Sequence, residues 1–283
     1  MKEDQDTGIS SHRTSAMLYL LQKGLNINAQ ADCGSTALQY ACESGQQEMI
    51  QFLLQRGAVV PKTNHSYEKA HHTAARSGDT SVAKMLLNAG LPIDSKDNKE
   101  HTPLIMAVKY EKASMIELSL KSGADTEVQG IFYWLWPLCT AAYNDTPAII
   151  ESLLIFGASI ESGGDHGQTP LTIAVSWGET LAAKALLDGG ANVYAAMYGH
   201  GLTAIMFVAE HDRCPRIGKH SLKQCNCCSG TTKRADMIEL LCKGGADLSL
   251  VTIRGHSALD YAKSNKSLER DDLIKILEKY GAT

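Results

Sequence analysis

Four of the chain's eight cysteines, Cys214, Cys225, Cys227 and Cys228, share one stretch with His220: CPRIGKHSLKQCNCCSG, residues 214–230. Thiolate and imidazole are the usual zinc ligands, and five of them suffice for a four-coordinate site. The spacing argues the other way. Structural zinc sites pair ligands two to four residues apart on two arms. Here one arm is the compact CNCC and the other is Cys214 alone. Two readings stand beside zinc. One is a loop with reactive thiols. The other is a basic patch made by Arg213, Arg216, Lys219, Lys223, Lys233 and Arg234, opposed only by Asp212, able to hold an acidic partner. No other cofactor is expected. A second chemical set is made of aromatics and histidines. Phe132, Tyr133, Trp134, Trp136 and Tyr143 crowd into IFYWLWPLCTAAY, and His101, His166, His200 and Glu210 recur along the rest of the chain. A histidine beside a carboxylate can carry out acid–base chemistry near neutral pH. No G-x-S-x-G, H-E-x-x-H or phosphate loop accompanies these residues.

What positions them is a period. The segments LLQKGLNI, LLQRGAVV, LLNAGLPI, SLKSGADT, LLIFGASI, LLDGGANV, LLCKGGADL and ILEKYGAT bring glycines at 24, 57, 90, 123, 157, 190, 245 and 281. The gaps are 33 or 34 until Gly190, then 55 and 36. A second motif keeps step: STALQYA at Ser35, HTPLIMA at His101, WPLCTAA at Trp136, QTPLTIA at Gln168, LTAIMFVA at Leu202 and HSALDYA at His256. In the unit around Thr169, a threonine cap and Pro170 open one helix, with Leu171, Ala174 and Val175 on one face. Gly178 breaks that helix. Leu181, Ala182, Ala185 and Leu186 form the stripe of a second helix, which Gly190 ends in a left-handed cap. Such a pair is too small to bury its own stripe, so neighbours must stack. Ala41, Ala74, Ala107, Ala141, Ala174, Ala209 and Ala262 occupy a slot where close helices leave little room.

These motifs closely resemble the ankyrin repeat, with its T-P-L-x-x-A opening and L-L-x-x-G-A close. The resemblance covers residues 14–283 and implies an all-α solenoid of helix-turn-helix units with β-hairpin fingers. Residues 1–13 are expected to be a flexible N-terminus. The extra length in the gap of 55 is expected as a Cys-rich loop at 211–234, inserted between the intact helices of one repeat. Both ends read as capping repeats, so no catalytic domain is expected beyond the array. His72 matches the family's T-P-L-H histidine, which implies a structural role in the finger.

The resemblance also implies where partners bind: the finger tips and the exposed face of each repeat's first helix. Carried over position by position, those slots hold Arg76, Lys109, Tyr110, Tyr133, Trp134, Tyr143, Trp177, His166 and His200, with His65 in an early finger. Aromatic anchors with few rotamers carry much interface energy. The expected function is therefore a binding module that holds a protein segment in its groove. The alternative is an enzyme or small-molecule site in the same groove. Tyr110, Tyr133, Tyr143 and Trp177 would wall it, and His101, His166, His200, Glu210 and Tyr143 would supply acid–base or metal-assisted chemistry. With 27 Lys and Arg against 31 Asp and Glu, a net charge of −4, nothing points to nucleic acid. No apolar run is long enough for a membrane span, and the polar, acidic start is no secretory leader. A cytoplasmic or nuclear monomer is expected.

Overall fold

A computed structural model describes residues 15–31, 35–44, 46–59, 65–97, 99–129, 136–163, 168–197, 201–210, 231–265 and 270–282. The chain divides into two compact units, Met1–Asp125 and Thr126–Thr283. The first unit holds α1 (15–22), α2 (Ala37–Glu43), α3 (Gln47–Gln55), α4 (His65–Ser77), α5 (Thr80–Asn88), α6 (Pro103–Lys109) and α7 (Ala113–Lys121). The second holds α8 (Pro137–Tyr143), α9 (Pro147–Ile155), α10 (Pro170–Trp177), α11 (Thr180–Asp188), β1 (Ala196–Met197) and β2 (Leu202–Thr203). It continues with α12 (Ala204–Ala209), α13 (Thr231–Lys243), α14 (Ala258–Ser264) and α15 (Arg270–Lys279). In each unit the first helices of successive pairs stack on one another, α2 on α4 on α6 and α8 on α10 on α12 on α14. The second helices do the same: α3 on α5 on α7, and α9 on α11 on α13 on α15. This is the expected solenoid of helix pairs. β1 and β2 form one antiparallel finger, pairing Ala196 with Thr203 and Met197 with Leu202.

Local chemistry sets the helix ends. Thr102 and Thr169 accept the amides of Ile105 and Thr172 at 3.3 Å, each followed by proline at the first helical position. All eight marker glycines sit at φ between +84° and +97°, the left-handed cap that an L side chain resists. Between the two helices of a pair the chain turns through a left-handed residue again. Gly178 takes it at +72°, but Asp145 takes it at +55° with a side chain. That costs about 1 kcal/mol. Asp145 Oδ1 accepts the Ala182 amide at 2.7 Å, which caps α11 of the next repeat and offsets the cost.

The core is the seam between layers. Leu38, Leu104, Leu138, Leu171, Ile205 and Leu259 repeat in one slot, none more than 3% exposed. Each is worth roughly 1.5–3 kcal/mol of burial. The second-helix stripe is rotated from expectation: Leu181 is 56% exposed, Ala185 is half-buried, and Ala182, Ala183 and Leu186 are the buried set. A side-chain ladder sets the register of neighbouring repeats. The Val59 amide donates to Asn28 Oδ1 at 2.9 Å, Asp125 to the Asp94 carboxylate at 3.2 Å, Ser159 to Glu127 Oε1 at 2.9 Å and Asn192 to Glu161 Oε1 at 2.6 Å. Tyr194 takes the next rung, donating its hydroxyl to the Gly245 carbonyl at 2.7 Å.

The repeat that carries the long gap is finished differently. In the five preceding repeats a backbone amide closes the turn onto the slot alanine, as Lys112 does onto Ala107, Thr146 onto Ala141 and Glu179 onto Ala174. After α12 the chain instead leaves in an extended conformation at Glu210. The orphaned carbonyls are met by side chains. The Arg234 guanidinium donates to the Val208 carbonyl, and Asn265 Nδ2 donates to the Ala209 carbonyl at 3.1 Å. Both side chains are buried. Arg234 is therefore a cap, not part of a solvated basic patch. α13 starts at Thr231, so the last four residues of the stretch 211–234 are helical. Residues 211–230, with the expected loop, lie outside the described residues.

Candidate functional site

Tyr143 is the last residue of α8 and Trp177 the last of α10. Both helices end there because the next residues enter the left-handed turns at Asp145 and Gly178. Stacking of α8 on α10 then brings the two rings together. Their centroids lie 4.8 Å apart with the planes at 83°, an edge-to-face pair worth about 0.5–1.5 kcal/mol. The pair is not core. Tyr143 is 46% exposed and Trp177 is half-buried. Beside Trp177, Ser176 turns its hydroxyl back to the Thr172 carbonyl at 2.7 Å and is buried. Trp136, Thr140 and Tyr143 fall on one stripe of α8 by helical spacing. Thr140 Oγ1 and Trp136 Nε1 are both buried, with no hydrogen-bond partner among the described residues. Trp136 also leaves α8 without a side-chain cap, because it stands where other repeats place threonine. Glu210 ends α12 on the same layer and is half-buried. The first-helix stretches of α8, α10 and α12, 136–146, 168–179 and 202–210, contain Asp145, Glu179 and Glu210 and no Lys or Arg, whereas the fourth first helix of this unit, α14, carries Asp260 and Lys263.

In the first unit the matching slots of α4 and α6 are basic. Arg76 near the end of α4, Lys109 at the end of α6 and Tyr110 beyond it are exposed, Tyr110 to 42%. His101 is not a rim residue. It is buried, and the carboxylate of Asp97 holds it from two sides: Oδ1 accepts its backbone amide at 2.8 Å and Oδ2 lies 3.0 Å from Nδ1. His72 Nε2 reaches the His101 carbonyl at 2.7 Å, the structural role expected of it. His101 is thus locked into its finger, which removes it from the acid–base set. His65 starts α4 rather than standing in a finger.

Tyr133, Trp134, His166 and His200 lie outside the described residues, as do Cys214, His220, Cys225, Cys227 and Cys228. Among the described residues no group of three or more His, Cys, Asp or Glu is placed to hold a metal. Cys139 is buried with its thiol donating to the Ser162 carbonyl, and burial pushes its pKa far up. Cys242 is pushed up to about 11 by burial and then by Glu239. Neither is a reactive thiol.

Sequence reasoning missed two groups. His71 lies 33 residues from both Leu38 and Leu104, in the leucine slot; it is 0% exposed and neither ring nitrogen has a partner among the described residues. The slot spacing was the available signal, masked by the more familiar His72 beside it. Arg234 read as one of several loop cations.

Comparison with known proteins agrees with this architecture. The family model for ankyrin repeats in many copies matches residues 6–54, and the single ankyrin repeat model matches residues 166–198. The ankyrin repeat domain of Bcl-3, described as a unique member of the IkappaB protein family, aligns with a TM-score of 0.68 at 23% identity. That alignment covers 87% of this chain and 99% of that one. The chain is an ankyrin-repeat protein. The ankyrin repeat protein nuc-2 of Neurospora crassa is 30% identical over 203 residues, 64% of this chain and 18% of nuc-2. An L-asparaginase of Dirofilaria immitis is 29% identical over 155 residues, 55% of this chain and 26% of that protein. The array therefore spans about a quarter or less of these relatives. Ankyrin repeats are protein-interaction modules, and this array is a binding module in that general sense. No helix among the described residues is long and apolar enough to cross a membrane.

Proposed function

We propose that this ankyrin array holds a protein segment against the first-helix face of its second unit, with Tyr143 and Trp177 as the anchors. The observation that carries the reading is the perpendicular pair itself, 4.8 Å between centroids and open to solvent on the tyrosine side. Two aromatic rings that hold each other in place lose little entropy when a partner covers them. They also sit at the ends of two rigid helices rather than on loops, which fixes their spacing before binding.

The test is selection of peptide ligands against the whole protein, followed by affinity measurement on Tyr143→Ala and Trp177→Ala. Each variant should lose about 2 kcal/mol of binding, the size of an interface hot spot. The melting temperature should move by only about 1–6 °C per variant, the size set by loss of the edge-to-face contact. Ligands that bind both variants as tightly as the parent would place the binding face elsewhere.

A further inference from the structure

The leucine slot of the first helices is broken once. In the first unit Leu38 fills it in α2 and Leu104 in α6, and His71 stands between them in α4. The second unit keeps the slot apolar, with Leu138, Leu171, Ile205 and Leu259. The imidazole brings no structural return. It is 0% exposed, and neither ring nitrogen has a hydrogen-bond partner among the described residues. Leucine would pack there without stripping water from two polar atoms. A residue that breaks a local rule uncompensated marks a place where stability is given up for something else. Histidine is the side chain whose charge changes nearest neutrality, so what it can supply is a response to pH.

The surroundings fix the sign of that response. α2, α5 and α6 pack on α4. α2 brings Tyr40, the buried Cys42 and, at its end, Glu43. The α5 side brings Asp79, whose Oδ1 accepts the Ser81 and Val82 amides at 3.1 Å, and the exposed Lys84. The α6 side brings His101, held by Asp97, and Lys109. α4 itself carries Glu68, Lys69, His72 and Arg76. What bears on the His71 ring opposes a proton: burial does most, the adjacent His72 adds to it, and no carboxylate among the described residues works the other way. The ring therefore takes a proton only when the layer opens to water. Opening would not stay within α4. His72 Nε2 reaches the His101 carbonyl at 2.7 Å, so α4 cannot leave α6 without giving up that contact to the next finger. Arg76 moves with α4, and its spacing from Lys109 and Tyr110 holds only while α4 and α6 stay stacked.

We infer that His71 makes the first unit an acid-released half of the array: as pH falls from about 7.5 to about 5, the α2–α4–α6 stack parts and the slots at Arg76, Lys109 and Tyr110 lose their spacing, while the second unit stays folded. The device is independent of the Tyr143 and Trp177 anchors, which belong to the other unit. Its size follows from one proton. Below about pH 6.5 the open state binds a proton that the closed state refuses, so the open population rises about tenfold per pH unit, and about thirtyfold between pH 7.5 and pH 5.

The experiment is amide hydrogen exchange of the full chain, read by mass spectrometry between about pH 7.5 and about pH 5 and corrected for the intrinsic pH dependence of exchange. Protection of α2, α4 and α6 should fall about thirtyfold across that range, and protection of α8, α10 and α12 should fall far less. In His71→Leu the first unit should keep at pH 5 nearly the protection it has at pH 7.5. His71→Met is the second apolar replacement, with an unbranched chain that adapts to the same space. Circular dichroism confirms the fold of each variant. A parent whose first unit is equally protected at both ends of the range overturns the proposal. So do variants that open in acid as the parent does, which would assign the response to other groups. Equal loss in both units would mean acid unfolding of the whole array rather than release of one half. If neither replacement folds, the imidazole has partners and the proposal falls.

Discussion

Replacing His71 with leucine should stabilise the first unit, and by more in acid than at neutral pH. The imidazole occupies a slot that Leu38 and Leu104 fill in the neighbouring repeats, at 0% exposure, with both nitrogens unpartnered among the described residues. A polar group buried without hydrogen bonds costs about 1–3 kcal/mol. Leucine is close to imidazole in volume and suits the slot, so the variant should gain about that much at pH 7. Acid enlarges the gap. Burial, and then the neighbouring His72, lowers the His71 pKa from 6.5 to about 3. An unfolded chain protonates this ring below about pH 6.5, while the folded chain refuses the proton until about pH 3. The unfolded state therefore binds more protons across that window, and stability is lost as pH falls through it. One proton is worth about 1.4 kcal/mol per pH unit, so about 2 kcal/mol disappears between pH 6.5 and pH 5. The leucine variant escapes this loss, and its advantage should grow from about 1–3 kcal/mol at pH 7 to about 3–5 kcal/mol at pH 5.

Repeat arrays open locally, so a global melt dilutes the effect. Native-state amide exchange on α2, α4 and α6, the helices packed around His71, reads it directly. An advantage of the same size at both pH values would mean that the ring is not held neutral. A variant less stable than the parent would mean that the imidazole has partners that leucine cannot replace. Either result would refute the reasoning.

Leu186→Ala removes a side chain with 0% exposure and should cost about 2–5 kcal/mol in chemical unfolding of the second unit. Arg234→Ala strips the Val208 carbonyl of its charged donor in a buried setting and should cost about 1.5–3 kcal/mol by the same measurement. Deleting residues 213–230 should leave the melting temperature nearly unchanged, because Arg234 and Asn265, which cap α12, lie outside the deletion.

The parts of this fold that were legible in the sequence are those whose cause is local. A left-handed cap needs glycine, so eight glycines marked eight helix ends without reference to anything distant. Threonine followed by proline announces a helix start for the same reason. The Tyr143–Trp177 contact was legible at one remove, because a 34-residue offset in a stacked array places two helix ends side by side. Failure began where a residue's fate depends on a partner that the period does not specify. His101 looks like an exposed finger residue until Asp97, four positions earlier, turns the loop inward and takes both its amide and its ring. Arg234 looks like one loop cation among six until the chain's departure at Glu210 strands the Val208 carbonyl 26 residues away. The two errors share a physical origin. Each residue answers an unsatisfied backbone group, and such groups arise from where the chain stops being regular. In a repeat protein those irregular points are few and countable from the period itself. The long gap between Gly190 and Gly245 is such a point, and the cation inside it, Arg234, meets a carbonyl that the break in the period leaves open.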